Sequence, residues 1–157
     1  MSVARVTGSV GTVIVTAARV GLGILWVHEG LQKVDAGFGA ADIALVVETA
    51  HTSRIPAVFA WFADTVMRPL APLFGVGVPL WELLLGFLLI VGVAPRAAAI
   101  ASTATLLTYW SSDQLAPVYP LAGFLGLLVL VAPLAARRWT LTRAITAARR
   151  RAAVSPG

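Results

Sequence analysis

Long apolar runs separated by short polar breaks dominate the chain. From about Val10 to Leu31 almost every position is apolar or small, and the same holds for about 73–94, 96–112 and 117–136. A helix needs ~20 mostly apolar residues to cross a bilayer's hydrocarbon core, so the pattern predicts four transmembrane helices. The second and third runs are parted only by Val93-Ala94-Pro95-Arg96, the third and fourth by Ser111-Ser112-Asp113-Gln114. Turns this short make consecutive helices antiparallel neighbours. Pro120 falls in the first turn of the fourth helix, where a missing N–H costs little. The third run is short and carries Ser102, Thr103, Thr105 and Thr108. The predicted fold class is all-α, an integral membrane antiparallel four-helix bundle formed by a single domain over residues 1–157.

Two segments break the pattern. Residues 32–72 form a long loop that still shows helical periodicity. Ala41 to Glu48 reads as a short helix, Pro56 as a first-turn residue after Ser53, and Ile55, Phe59, Phe62 and Val66 recur at helical spacing. This predicts an amphipathic helix that lies on the outer membrane surface or caps the bundle as a lid. Residues 137–157 form a basic tail with Trp139 at its start, read as a membrane-surface anchor.

Composition agrees with the runs. Hydrophobic residues make up 59 % and charged residues 12 %, against roughly 25 % charged in a soluble domain, and the mean hydropathy is +0.88. An ordinary soluble globule, a disordered chain and a period-two membrane barrel are excluded. The first run is too long for a cleavable signal, holds Arg19 and lacks a small-x-small cleavage site, so it is read as a retained helix. The chain has no cysteine and can neither exchange disulfides nor hold a Cys-ligated cluster.

Charge sets the orientation. With both termini cytoplasmic, Arg5, Arg96, Arg137, Arg138, Arg143, Arg149, Arg150 and Arg151 lie inside with no acidic residue. Lys33, Arg54 and Arg68 lie outside with Glu29, Asp35, Asp42, Glu48, Asp64 and Asp113. That asymmetry is the positive-inside signature of a multi-pass membrane protein. The net charge of +5 points to an anionic bilayer rather than nucleic acid. Gly21-Leu22-Gly23 follows no strand and reads as helix packing, not a phosphate loop.

Arg19 and Glu82 remain, both inside predicted spans. Each lies nine residues into its run from opposite faces, ~13 Å deep at 1.5 Å per residue. Buried charges need partners, and an Arg19–Glu82 ion pair is expected, either fixing the bundle's register or organising a pocket for an anionic or quinone-like head group. Steps of four and three from Arg19 give Gly23, Trp26, Gly30 and Lys33 on one stripe. Thr105, Tyr109 and Asp113 share a face of the third helix. If these faces converge, Trp26, His28, Glu29, Lys33, Glu82, Tyr109 and Asp113, with Gln32 beside them, form a polar pocket in the outer leaflet. Simpler readings stand beside this one: Trp110 and Tyr119 as an aromatic belt, Lys33 as a snorkelling side chain, and His28 as a solvated residue. His28 and His51 lie on different segments with no metal-ligand spacing, so neither a metal site nor bis-His haem is expected. No nucleophile–base motif stands out.

Two stretches carry a family resemblance. Arg19 followed by Leu22-Gly23-Ile24-Leu25-Trp26 and His28-Glu29-Gly30-Leu31-Gln32-Lys33 resembles the first helix of the DoxX family. Trp81-Glu82-Leu83-Leu84-Leu85-Gly86, running to Val91-Gly92-Val93-Ala94-Pro95-Arg96, resembles its second helix and turn. The resemblance covers about Val13 to Ala135, and the long outer loop departs from it. It implies a small four-helix bacterial membrane protein linked to redox complexes. One relative is a subunit of a thiosulfate:quinone oxidoreductase, and others partner with superoxide-detoxifying and sulfurtransferase proteins. Related bundles with cysteine pairs act on thiols, which this chain cannot do.

The resulting expectation is a subunit of, or accessory to, a membrane redox or oxidative-stress system, not an enzyme on its own. It would bind a quinone or other lipophilic molecule, with redox proteins or a second copy of itself as partners. The alternatives are a membrane anchor that recruits partners and a small-solute or lipid transporter. The absence of an inverted repeat speaks against the transporter.

Overall fold

The computed structural model describes residues 3–51, 54–114, 116–136, 140 and 146–147, with side chains for these except 3–9, 133 and 134. All regular structure among the described residues is helical. In chain order the helices are α1 (Val3–Asp35), α2 (Ala40–Thr49), α3 (Ala57–Phe62, continued by a π-helical turn over Ala63–Met67), α4 (Ala71–Val91), α5 (Pro95–Ser111), α6 (Tyr119–Val131) and α7 (Pro133–Ala136).

The four long helices pack on one another. α1 lies against α4 and α6, and α5 lies against α4 and α6. The α1–α4 seam is the tightest, and small residues set it. A Cβ on Gly23 would lie 2.8 Å from the Gly86 carbonyl, and one on Gly86 would lie 2.7 Å from the Gly23 carbonyl. Two turns further out, Gly30 meets the Pro79 carbonyl and Leu83. Residue 23 thus faces 86 and residue 30 faces 79, an antiparallel register. On α4, Pro79, Glu82, Gly86 and Leu89 are buried, the i, i+3, i+4 spacing of one helix face.

Helix ends follow from local chemistry. α2 starts where Asp42 accepts a hydrogen bond from the Gly39 amide at 2.8 Å, a reach-back that caps the first turn. α4 ends at Gly92, which adopts φ 79°, and the amides of Gly92 and Val93 both return to the Leu88 carbonyl. Pro95 then opens α5 at its first position.

The loop predicted over 32–72 is a small subdomain with its own core. Ile43, Val47, Phe59, Ala63 and Met67 are buried together, with Phe62 and Phe74 packed on them. Gly75 lets α2 sit directly on α4: its Cβ would lie 2.7 Å from the Ala40 amide. The helix expected from Ala41 to Glu48 is α2, and Pro56 is the N-cap of α3. The fourth run, expected unbroken over 117–136, is interrupted at Ala132 (φ −127°, ψ 58°). Pro133 follows, and the residue before a proline is disfavoured from the helical region.

α1, counted from Val10, and α4 are long and apolar enough to cross a membrane. α5 and α6 are shorter, with 17 and 13 residues. Large apolar side chains face outward around the structure, among them Ile24, Leu31, Leu80, Phe87, Ile100, Leu107, Phe124 and Leu127. Apart from 140 and 146–147, the basic tail lies outside the described residues, Trp139 with it, as does the side chain of Arg5.

Candidate functional site

Polar side chains from α1, α4 and α5 converge at one end of the packed helices. Glu82 is at the centre, with 0 % of its side chain exposed. Its Oε1 accepts hydrogen bonds from Lys33 Nζ at 2.7 Å and from the Tyr109 hydroxyl at 2.5 Å. Its Oε2 is buried without a hydrogen-bond partner among the described residues. Lys33 also lies 3.8 Å from Glu29, its i−4 neighbour, and 5.3 Å from the centroid of the Tyr109 ring. The ammonium therefore serves two carboxylates and an aromatic face.

Rings brace the cluster. Trp26 is buried, and its indole N–H donates to Ser102 Oγ at 2.7 Å. Its ring tilts against Tyr109 at 6.3 Å, and Tyr109 against Tyr119 at 5.5 Å. On the α4–α5 seam, the Trp81 indole donates to Thr105 at 2.9 Å. Apart from Glu82 Oε2, the buried members of the cluster satisfy one another's polar groups across three helices, as burial requires.

A cavity of about 160 Å³ lies between this cluster and the small subdomain. Lys33, Tyr109 and Tyr119 form its polar side, and Phe38, Phe59 and Phe74 its apolar side. The subdomain covers this cavity, in keeping with one of the two placements its periodicity allowed, a lid on the bundle rather than a helix on the membrane surface. On the lid, Asp64 meets His51 at 3.1 Å and Arg68 at 2.8 Å. The Arg68 hydrogen bond, followed by that from His51, holds the Asp64 carboxyl below its usual range.

The expected Arg19–Glu82 pairing is replaced by two separate arrangements. Arg19 is 2 % exposed, and its Nη1 donates to the carbonyls of Leu89 and Ile90, to the latter at 2.9 Å. Those carbonyls belong to the last turn of α4, where orphan acceptors and the negative end of the helix dipole favour a cation. Glu82 lies seven residues earlier on α4, ~10 Å back along the axis, and takes Lys33 instead. The Gly23–Gly86 register is the cause, because it sets Arg19 level with residues 89–90.

Other expected pocket residues divide. Trp26, Glu29, Lys33, Glu82 and Tyr109 come together as described. His28 and Gln32 are exposed. Asp113 is also exposed, at φ 58° in the turn after α5, and does not line the cavity. Sequence reasoning gave Ser102 no partner, although it lies seven residues before Tyr109, on the same face of α5. It also assigned Tyr119 to an aromatic belt, whereas Tyr119 lines the cavity. Among the described residues no group of three His, Cys, Asp or Glu side chains could hold a metal ion.

Among the described residues the structure is all-helical, with two helices long and apolar enough to cross a membrane and a buried charge cluster near one end of them. The chain belongs to the DoxX family, whose model matches residues 14–112. That match takes in α1 from residue 14 onward, the lid, α4 and α5, and with them Arg19, Lys33, Glu82 and Tyr109. No curated protein and no solved structure matches the chain.

Proposed function

We propose that the protein is a four-span plasma-membrane subunit of, or accessory to, a redox or oxidative-stress system, and that it binds a quinone-like ring beneath the lid. The observation that carries this reading is the half-satisfied Glu82 carboxylate, fully buried and tied through Lys33 and Tyr109 to the cavity wall. A cavity of about 160 Å³ suits one six-membered ring, since an apolar cavity of about 150 Å³ accepts benzene. Aromatic lid residues would sandwich the ring. Lys33, with its third donor free to turn outward, would hold a ring oxygen. Glu82 would hold Tyr109 and Lys33 in place and keep a carboxylate oxygen ready to take a proton. A quinone, when bound, supplies reversible two-electron chemistry, and the electrons come from a partner protein.

The outward apolar side chains on α1, α4, α5 and α6 support immersion in lipid. The Lys/Arg asymmetry supports cytoplasmic termini and an outer lid. A second reading, a membrane-bound assembly protein, has its own support in the lid's outward face, where Leu45, Val58 and Trp61 are exposed.

The test is extraction of gently purified protein followed by mass spectrometry, wild type beside Glu82→Gln. A quinone near one per chain in wild type and depleted in the variant is the expected result. Bilayer phospholipid alone in both samples would overturn the reading, and partner proteins co-purifying with such empty protein would favour the assembly role.

A further inference from the structure

A second cavity adjoins the first. It is a groove of about 590 Å³ between α5 and α6, lined by Leu106, Leu107 and Trp110 on one side and Pro117, Pro120 and Gly123 on the other. Tyr119 belongs to the walls of both spaces, so the cavity under the lid and the groove meet at this residue. Among the described residues no charged one lines the groove. Gly123 leaves it open, since a Cβ there would find nothing within 4 Å. Trp110 at its edge is 64 % exposed, so the groove opens on the outer flank of the helices.

We infer that this groove is the exit path for the tail of the same molecule whose ring lies under the lid, so that the ligand is a ring carrying a long prenyl or alkyl chain. The inference rests on the ring-binding reading above. Lipid tails are as apolar as the groove, so burial alone gives the tail little preference for it over bilayer. The groove's contribution is steric: a chain leaving past Tyr119 needs the space that Gly123 leaves.

The test uses the full chain in lipid nanodiscs and two benzoquinones with the same ring, one bearing a single isoprene unit and the other eight. Binding is read from quenching of tryptophan fluorescence in wild type, Gly123→Leu and Ala116→Leu. Partitioning into the bilayer cancels when variant and wild type are compared with the same ligand. The long-chain quinone should bind each variant about tenfold more weakly or worse, the factor expected when extra methylenes meet an occupied space, and the short one within about twofold of wild type. Gly123→Leu adds a good helix former into open space, and Ala116→Leu decides the matter if that variant does not fold. Equal ratios for the two ligands, whether near one or well below it, would overturn the tail path. Failure of both quinones to bind wild type would overturn the ring-binding reading itself.

Discussion

Lys33→Met and Glu82→Gln remove opposite ends of one ion pair, and the structure predicts unequal costs. Glu82 has 0 % side-chain exposure, and its charge partner Lys33 has 20 %. Lys33→Met leaves a fully buried carboxylate with the Tyr109 hydroxyl as its remaining hydrogen bond. Breaking a buried pair in this way costs about 3–5 kcal/mol. Glu82→Gln leaves an ammonium that retains Glu29 at 3.8 Å and a path to water, and the new amide still accepts from Tyr109. Its cost should be nearer that of one weakened charge-assisted hydrogen bond, about 1.5–3 kcal/mol. In the double variant no charge is stranded, so its cost should fall below the sum of the singles by roughly 2 kcal/mol. The assay is SDS-driven unfolding in mixed micelles, followed by tryptophan fluorescence, with buried Trp26 close to the site. If Lys33→Met cost no more than Glu82→Gln, or if the two costs simply added, the argument from unequal burial would be refuted.

Three further outcomes follow from the packing. Ser102→Ala strands the buried Trp26 indole N–H and should cost about 1–3 kcal/mol in the same assay; a silent substitution would mean the bond is not formed. Gly86→Ala drives a Cβ into the Gly23 carbonyl and the Val27 amide and should cost about 1–3 kcal/mol. Gly77→Ala, where nothing lies within 4 Å, should be neutral or stabilising by up to ~1 kcal/mol, and the reverse order would contradict the α1–α4 register. Asp64 is held below its ordinary titration range by Arg68 and His51, so its lid contacts are fully present above about pH 4 and weaken as pH falls through the lowered value. The protection of α2 and α3 against hydrogen exchange, corrected for the intrinsic pH dependence of amide exchange, should therefore fall in acid for wild type, and Asp64→Asn should remove that part of the pH dependence.

Much of this architecture could be read from the apolar runs. Predicted spans at 73–94 and 96–112 correspond to α4 at Ala71–Val91 and α5 at Pro95–Ser111, because Gly92 and Pro95 punctuate them chemically. The lid's helices showed in its periodicity. That Glu82 requires a partner was also legible, since a lone carboxylate in an apolar run is costly anywhere. Which partner it takes was not. Depth counted from the ends of two runs carries an error of several residues, and α1 extends to Asp35 rather than stopping at Leu31. Register is fixed by where glycines let backbones touch, here Gly23 on Gly86 and Gly30 on Pro79, and several glycines in each run offered alternatives. His28 and Asp113 were misplaced for a related reason. Both have the right spacing to neighbouring pocket residues, but His28 is rotated to the outside of α1, and Asp113 lies past the end of α5, where helical phase no longer applies.

The three-residue connection between α4 and α5 bears on how such a chain is made. α5 carries four hydroxyl side chains in its run from Ser102 to Thr108 and is not among the helices apolar enough to cross a membrane unaided. Three of them, Thr103, Thr105 and Thr108, return their hydroxyls to the carbonyls of Ala99, Ala101 and Ala104, which lowers the cost of carrying them into lipid. For a chain inserted as proposed, Gly92 closes α4 so tightly that α5 has no room to wait outside. The two would leave the translocation channel together as a hairpin, with strongly apolar α4 drawing its weaker partner in. Lengthening the Gly92–Ala94 connection would then impair membrane integration during synthesis while leaving every contact of the finished fold intact.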